Sequence, residues 1–147
     1  RRLLGAHLIS ELLQENFELP YRPPIFFLEN TTFKQQVQAF SNIDILLSPH
    51  GAMLTLIPFL PRCSSVIEVV PFAYPLGGYF STLTALSGVN HSFIYLGADM
   101  HNEYDPTLSV HDQLKARDAL LCAPAHVLVE AVRIQVDQWR RCCEFAG

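Results

Sequence analysis

The chain lacks the common signatures of phosphate binding and acyl chemistry. It contains no P-loop, no G-x-G-x-x-G and no G-x-S-x-G, so an NTPase, a nicotinamide dehydrogenase and a serine hydrolase lose their usual anchors. Its four cysteines, Cys63, Cys122, Cys142 and Cys143, form no C-x-x-C pair, which removes the usual spacing of a zinc site. Charge is scarce as well. Charged residues make up 16% of the chain, the net charge is −4, and no basic run exceeds two residues. A broad nucleic-acid surface is thereby excluded. Long apolar runs are also missing: Asp44, His50, Pro58, Pro61 and Arg62 break the best candidate well short of the roughly 18–20 residues a membrane span needs.

What is present is an apolar chain of 147 residues, half of them hydrophobic. That length suits one domain with a real core. The apolar composition suits a domain that buries one face against another. Arg1-Arg2 leads at once into a helical pattern, without the apolar segment of a signal peptide. A doubly wound domain that begins in a helix is expected to have lost its preceding strand, so the chain reads as a fragment of a longer protein. The cysteines read as buried thiols, or as a disulfide of an oxidising compartment in which Cys142 or Cys143 reaches Cys122.

The stretch Ile43–Pro71, IDILLSPHGAMLTLIPFLPRCSSVIEVVP, organises the rest. It predicts a strand at 43–47, a tight turn at His50-Gly51-Ala52, a short helix at 52–60 and a second strand at 66–70. Both strands are continuous apolar runs, as expected of parallel strands buried on both faces. A titratable residue, His50 or Glu68, is expected at the tip of each strand. Around this unit the spacing predicts a helix over 2–17, a short buried strand at 25–28 and a helix over 33–40 capped by Thr31 or Thr32. It further predicts a helix over 79–86 ending at Gly88, a strand at 92–96, and helices over 110–121 and 126–145. Strands alternating with short helices predict a Rossmann-like parallel α/β sheet over 1–147, with a less regular, mainly helical tail at 98–147.

Open α/β sheets bind ligands beyond the carboxyl ends of their strands, which puts His50 and the Gly51 and Ala52 amides at the expected site. Glycine permits a sharp turn and close ligand approach, and helix-start N–H groups favour a phosphate or carboxylate. The imidazole can donate to a phosphate oxygen or take a proton; alternatively it caps the strand with no ligand. Glu68 can accept from ribose hydroxyls, or be paired with an arginine or a helix N-terminus. Arg1 and Arg2, at a helix start, can clamp a diphosphate. Glu103-Tyr104-Asp105 has the character of an acidic pair for Mn²⁺ or Mg²⁺. The ten-residue spacing of His91, His101 and His111 matches no helical or strand face and reads as accident.

With these residues in view, the chain resembles the glycosyltransferase 61 family. The resemblance is carried, in order, by Arg1-Arg2 before a helix, Phe33-Lys34-Gln35-Gln36-Val37, Asp44 leading to His50-Gly51-Ala52, and Leu54-Thr55. Phe59-Leu60-Pro61, Val66-Ile67-Glu68-Val69 with Pro71, and Tyr79-Phe80 to Gly88 complete it. The family usually has glycine at Met53 and asparagine at Leu56.

The resemblance implies the carboxyl-terminal, donor-binding half of a two-domain GT-B enzyme. That enzyme is an inverting transferase moving xylose, arabinose or GlcNAc from a UDP-sugar to a glycan or protein hydroxyl. It would work in the Golgi or endoplasmic reticulum lumen. An amino-terminal domain and any membrane anchor would then lie outside this chain. The implied roles are His50 as the catalytic residue, with Arg2, His50, Gly51, Ala52, Met53, Thr55 and Glu68 binding the donor. No cofactor is firmly implied beyond the sugar nucleotide itself, and a divalent metal lacks support. The rival readings are a catalytically silent Rossmann-like docking module and a flavodoxin-like enzyme for some other anion.

Overall fold

The computed structural model describes residues 2–71, 74, 78–96, 109–117 and 120–146. Within them the order is α1 (Ala6–Asn16), α2 (Phe33–Phe40), β1 (Ile45–Pro49), a 3₁₀ helix (Ala52–Phe59), β2 (Ser65–Pro71), α3 (Tyr79–Ser87), β3 (Asn90–Leu96), α4 (Val110–Arg117) and α5 (Ala125–Ala146). Among the described residues the three strands form one parallel sheet in the order β1-β2-β3. Every residue of the central strand β2 is buried, as expected of a mainly apolar parallel strand covered on both faces, although Ser65 and Glu68 lie within it.

Two apolar layers enclose the sheet. On one face Leu46 and Val66 pack with Phe40 of α2, Leu54, Leu56 and Ile57 of the 3₁₀ helix, and Phe80 of α3. On the other, Ile67 and Val69 pack with Ile9 and Leu13 of α1 and with Leu128, Val129 and Val132 of α5. Alternate residues of β2 thus feed opposite cores, because successive strand side chains point to opposite faces.

Local chemistry explains several boundaries. Thr32 caps α2 in a full capping box with Gln35, two backbone donors being satisfied reciprocally. Gly88 ends α3 with φ 68°, a left-handed conformation that favours glycine. Pro58 lies inside the segment predicted as a helix over 52–60, which is 3₁₀ in form. In an α-helix its ring would clash with the carbonyl of residue 54 and one hydrogen bond would be missing.

Other expectations need correction. Residues 25–28 form no strand. They follow Pro23 and Pro24 without strand pairing, with Phe26 44% and Phe27 57% exposed; just upstream, Ser10 Oγ donates to Pro23 O at 2.7 Å. The first helix begins only at Ala6, after Gly5. Residues 2–4 instead run alongside Leu121, with Leu4 N donating to Leu121 O at 2.8 Å and a parallel bridge at Leu3. That bridge also removes residue 121 from the predicted 110–121 helix. Two strands are displaced or lengthened: 43–47 is observed as Ile45–Pro49, and 92–96 starts at Asn90. Among the described residues no helix is long and apolar enough to cross a membrane.

Cysteine pairing also departs from expectation. Cys63, in the connection between the 3₁₀ helix and β2, is bonded to Cys142 of α5, with 5.6 Å between Cα atoms. Cys122 and Cys143 are exposed free thiols. Cys63 lies 79 residues from Cys142, a pairing that local sequence spacing does not show. A disulfide that restrains the unfolded chain in this way typically contributes about 2–4 kcal/mol. Cys142→Ser is therefore expected to lower the unfolding free energy by about that amount in denaturant titrations, and wild type in reductant should match it; coincident oxidised and reduced curves would refute the structural role.

Candidate functional site

β1 runs out at Pro49 and delivers His50 to the edge of the sheet, where its amide donates to Val69 O at 2.8 Å. This bond prolongs the β1–β2 ladder by one step and fixes the backbone of His50. The imidazole is buried, at 7% exposure. It packs against the rings of Tyr74 and Phe80, with centroids 5.3 and 5.1 Å away.

Glu68 is buried too, at 4% exposure. It lies opposite Ser48 of β1, in the middle of β2 and not at its tip, with three strand residues still to follow. One carboxylate oxygen, Oε1, contacts His50 Nδ1; the other, Oε2, lies 2.9 Å from His91 Nε2. Burial pushes the Glu68 carboxyl up, but hydrogen bonds from His50 and His91, with their charges, together outweigh it and hold the group below its ordinary value. Near neutral pH it is an ionised, acceptor-only group, so both imidazoles donate to it. Its partners are neither an arginine nor a helix N-terminus.

The three side chains make a diagonal across one face of the sheet. His50 stands beyond the end of β1, Glu68 at mid-strand in β2, and His91 near the start of β3, level with Val66. A carboxylate in an apolar strand is costly to bury alone, and two charge-assisted donors offset that cost. The regular spacing of His91, His101 and His111 hid this role. The informative signal was different: His91 has the strand parity of Glu68 on the neighbouring strand.

The other predicted residues divide. Gly51, Ala52, Met53 and Thr55 follow His50 directly along the 3₁₀ helix, but their environments differ. Gly51 has φ 169° and ψ 176°, extended backbone that any residue adopts. A Cβ there would meet only Pro49 O, at 4.0 Å. The glycine is therefore not needed for a tight turn, as the sequence suggested; what it supplies is open space at the backbone. Ala52 is exposed and Met53 half-buried against the core. The exposed Thr55 donates its hydroxyl to Ala52 O at 2.7 Å. Arg2 is exposed and lies in the extended segment beside Leu121, not at a helix start. Its side chain has no hydrogen bond or ion pair to His50 or Glu68.

Arg1 and Glu103-Tyr104-Asp105 lie outside the described residues. Among those described, no three His, Cys, Asp or Glu side chains are grouped to hold a metal ion.

The sign of the Glu68 shift fixes a pH dependence. Its folded value lies below the ordinary 4.5, so its stabilising contribution is complete above that pH and is lost as the pH falls below it. Glu68→Gln should cost about 1–3 kcal/mol of stability at pH 7. The difference from wild type should shrink as urea titrations are taken down toward pH 3. A gap that stayed constant with pH would show that the carboxylate is not held ionised by the histidines.

Comparison with known proteins adds a family likeness. The family model described as Glycosyltransferase 61 matches residues 1–67, which include the whole of β1, the His50-Gly51-Ala52 turn and the first part of β2. The chain is 36% identical over 91 residues to protein O-linked-mannose β-1,4-N-acetylglucosaminyltransferase 2 of Mus musculus. The corresponding figures are 38% over 91 residues for Homo sapiens and 32% over 91 residues for Danio rerio. Each match takes in 60% of this chain and 15% of the relative, so the chain corresponds to a small part of those proteins. Over residues 1–67, somewhat less than half of its length, the chain is thus similar to the glycosyltransferase 61 family.

Proposed function

We propose that this chain contributes the donor-binding part of an inverting glycosyltransferase of GT-B architecture. Its donor is a UDP-sugar, with GlcNAc favoured over xylose or arabinose by the names of the relatives. The acceptor is a hydroxyl of a glycan or glycoprotein, held largely by a second domain that also supplies the base.

One observation carries this reading. His50 is held by a buried carboxylate at the carboxyl edge of a parallel sheet, directly before an open glycine backbone and a helix start. As the sugar is transferred, negative charge develops on the departing diphosphate. His50 and the Gly51 and Ala52 amides are the groups suited to stabilise it, since the first N–H groups of a helix have no partner within it. Met53 and Thr55 border the same segment, and Arg2 would have to be brought to it by the bound nucleotide. Glu68 serves through His50. A ribose hydroxyl would have to share an oxygen already engaged by an imidazole, so a direct ribose contact is secondary in this reading.

The disulfide between Cys63 and Cys142 supports an oxidising compartment, consistent with work in the endoplasmic reticulum or Golgi lumen.

Ligand-induced stabilisation of the complete protein tests the proposal. UDP at about 100 times its Kd should add about 2.7 kcal/mol of stability, read as a rise in the thermal midpoint. His50→Ala should abolish most of that rise while leaving the protein folded. No shift at millimolar UDP would favour a silent docking module, and a shift with other anions but no nucleoside diphosphate would point to an unrelated anion site.

A further inference from the structure

We infer that His91 is a positioning residue of the donor site, acting on His50 through Glu68. The inference rests on the donor-site reading and extends it to a strand outside the segment that matches the family model.

Glu68 has three rotatable side-chain bonds, and a single hydrogen bond to His50 would leave its carboxylate free to swing about the last of them. His91 removes that freedom. It takes Oε2 at 2.9 Å while His50 takes Oε1, so the carboxylate plane is pinned from both sides and Oε1 is aimed at Nδ1 of His50. The His91 side chain is 13% exposed, and it meets the sheet two positions upstream of Phe93, the residue opposite Glu68. It therefore approaches the carboxylate from the inner end of the diagonal, opposite to His50.

The arrangement also fixes which nitrogen of His50 carries a proton. An ionised Glu68 accepts only, so His50 keeps a hydrogen on Nδ1. Without the second donor, Glu68 would be under-compensated in an apolar strand. It would then turn toward water or take up a proton, and in either case His50 would lose the ionised acceptor at its Nδ1. His50 is surrounded by Tyr74 and Phe80 as well, so the loss is one of orientation and proton placement rather than of packing.

Two measurements on the complete protein test the inference, using His91→Leu and His91→Gln, with His91→Asn as a shorter amide. The first is the imidazole Nδ1–H signal of His50 in ¹⁵N-histidine NMR spectra, assigned by its absence in His50→Ala. The second is the affinity for UDP. His91→Leu should remove or broaden the His50 signal and weaken UDP binding about tenfold. His91→Gln, whose amide can donate to Oε2, should restore both, and His91→Asn should restore neither.

A structural role alone would lower the thermal midpoint and leave the His50 signal of the folded protein unchanged. That result overturns the inference, as would unchanged UDP affinity in a wild type that binds it. If wild type fails to bind UDP but His91→Leu still removes the His50 signal, the positioning role stands and the donor-site reading falls. If His91→Leu does not fold, the contrast between the two amide variants decides the matter by the same criteria.

Discussion

The contact between Glu68 and its two histidines constrains the rest of this structure. β2 is buried along its whole length, and a charge in such a strand must be compensated where it stands. Compensation comes from both sides, from the residue just past β1 and from β3. Both donors reach the carboxylate only if the three strands are parallel and in the observed register. A slip of one residue would turn Glu68 to the opposite face, into the layer of Ile9, Leu13 and Leu128. The ion cluster therefore acts as a register lock as well as a candidate site, and burial and chemistry are satisfied by the same three side chains.

The helices follow from that sheet. The 3₁₀ helix and α3 cover the face that carries the cluster, while α1 and α5 cover the other. The disulfide joins the two sides across the edge, tying the connection before β2 to the long α5. A rigid support of this kind suits a site whose geometry must be held before a ligand arrives.

Much of this was legible in the residues. The apolar runs of Ile43–Pro71 marked parallel buried strands, and Thr32 and Gly88 announced a helix start and a helix end. His50 and Glu68 stood out because they were the titratable residues in apolar surroundings. What failed did so for identifiable reasons. Ile25-Phe26-Phe27-Leu28 looked like a strand because strands and extended chain share composition, and only pairing tells them apart. Pro58 could have signalled the 3₁₀ form but sat in an otherwise helical pattern. The pairing of Cys63 with Cys142 and the role of His91 are non-local, and one sequence gives no distance between strands. Glu68 was taken for a strand tip because nothing in the apolar run marks where β2 stops.

In the proposed site His50 and Glu68 act as one unit toward a nucleoside diphosphate, and a double-mutant cycle on UDP affinity, combining His50→Ala with Glu68→Gln, measures that coupling. If Glu68 works through the imidazole, removing it after His50 is gone costs nothing more, and the double variant binds UDP as weakly as His50→Ala alone. If the two losses simply add, the residues contact the ligand independently and the coupled site described above does not exist.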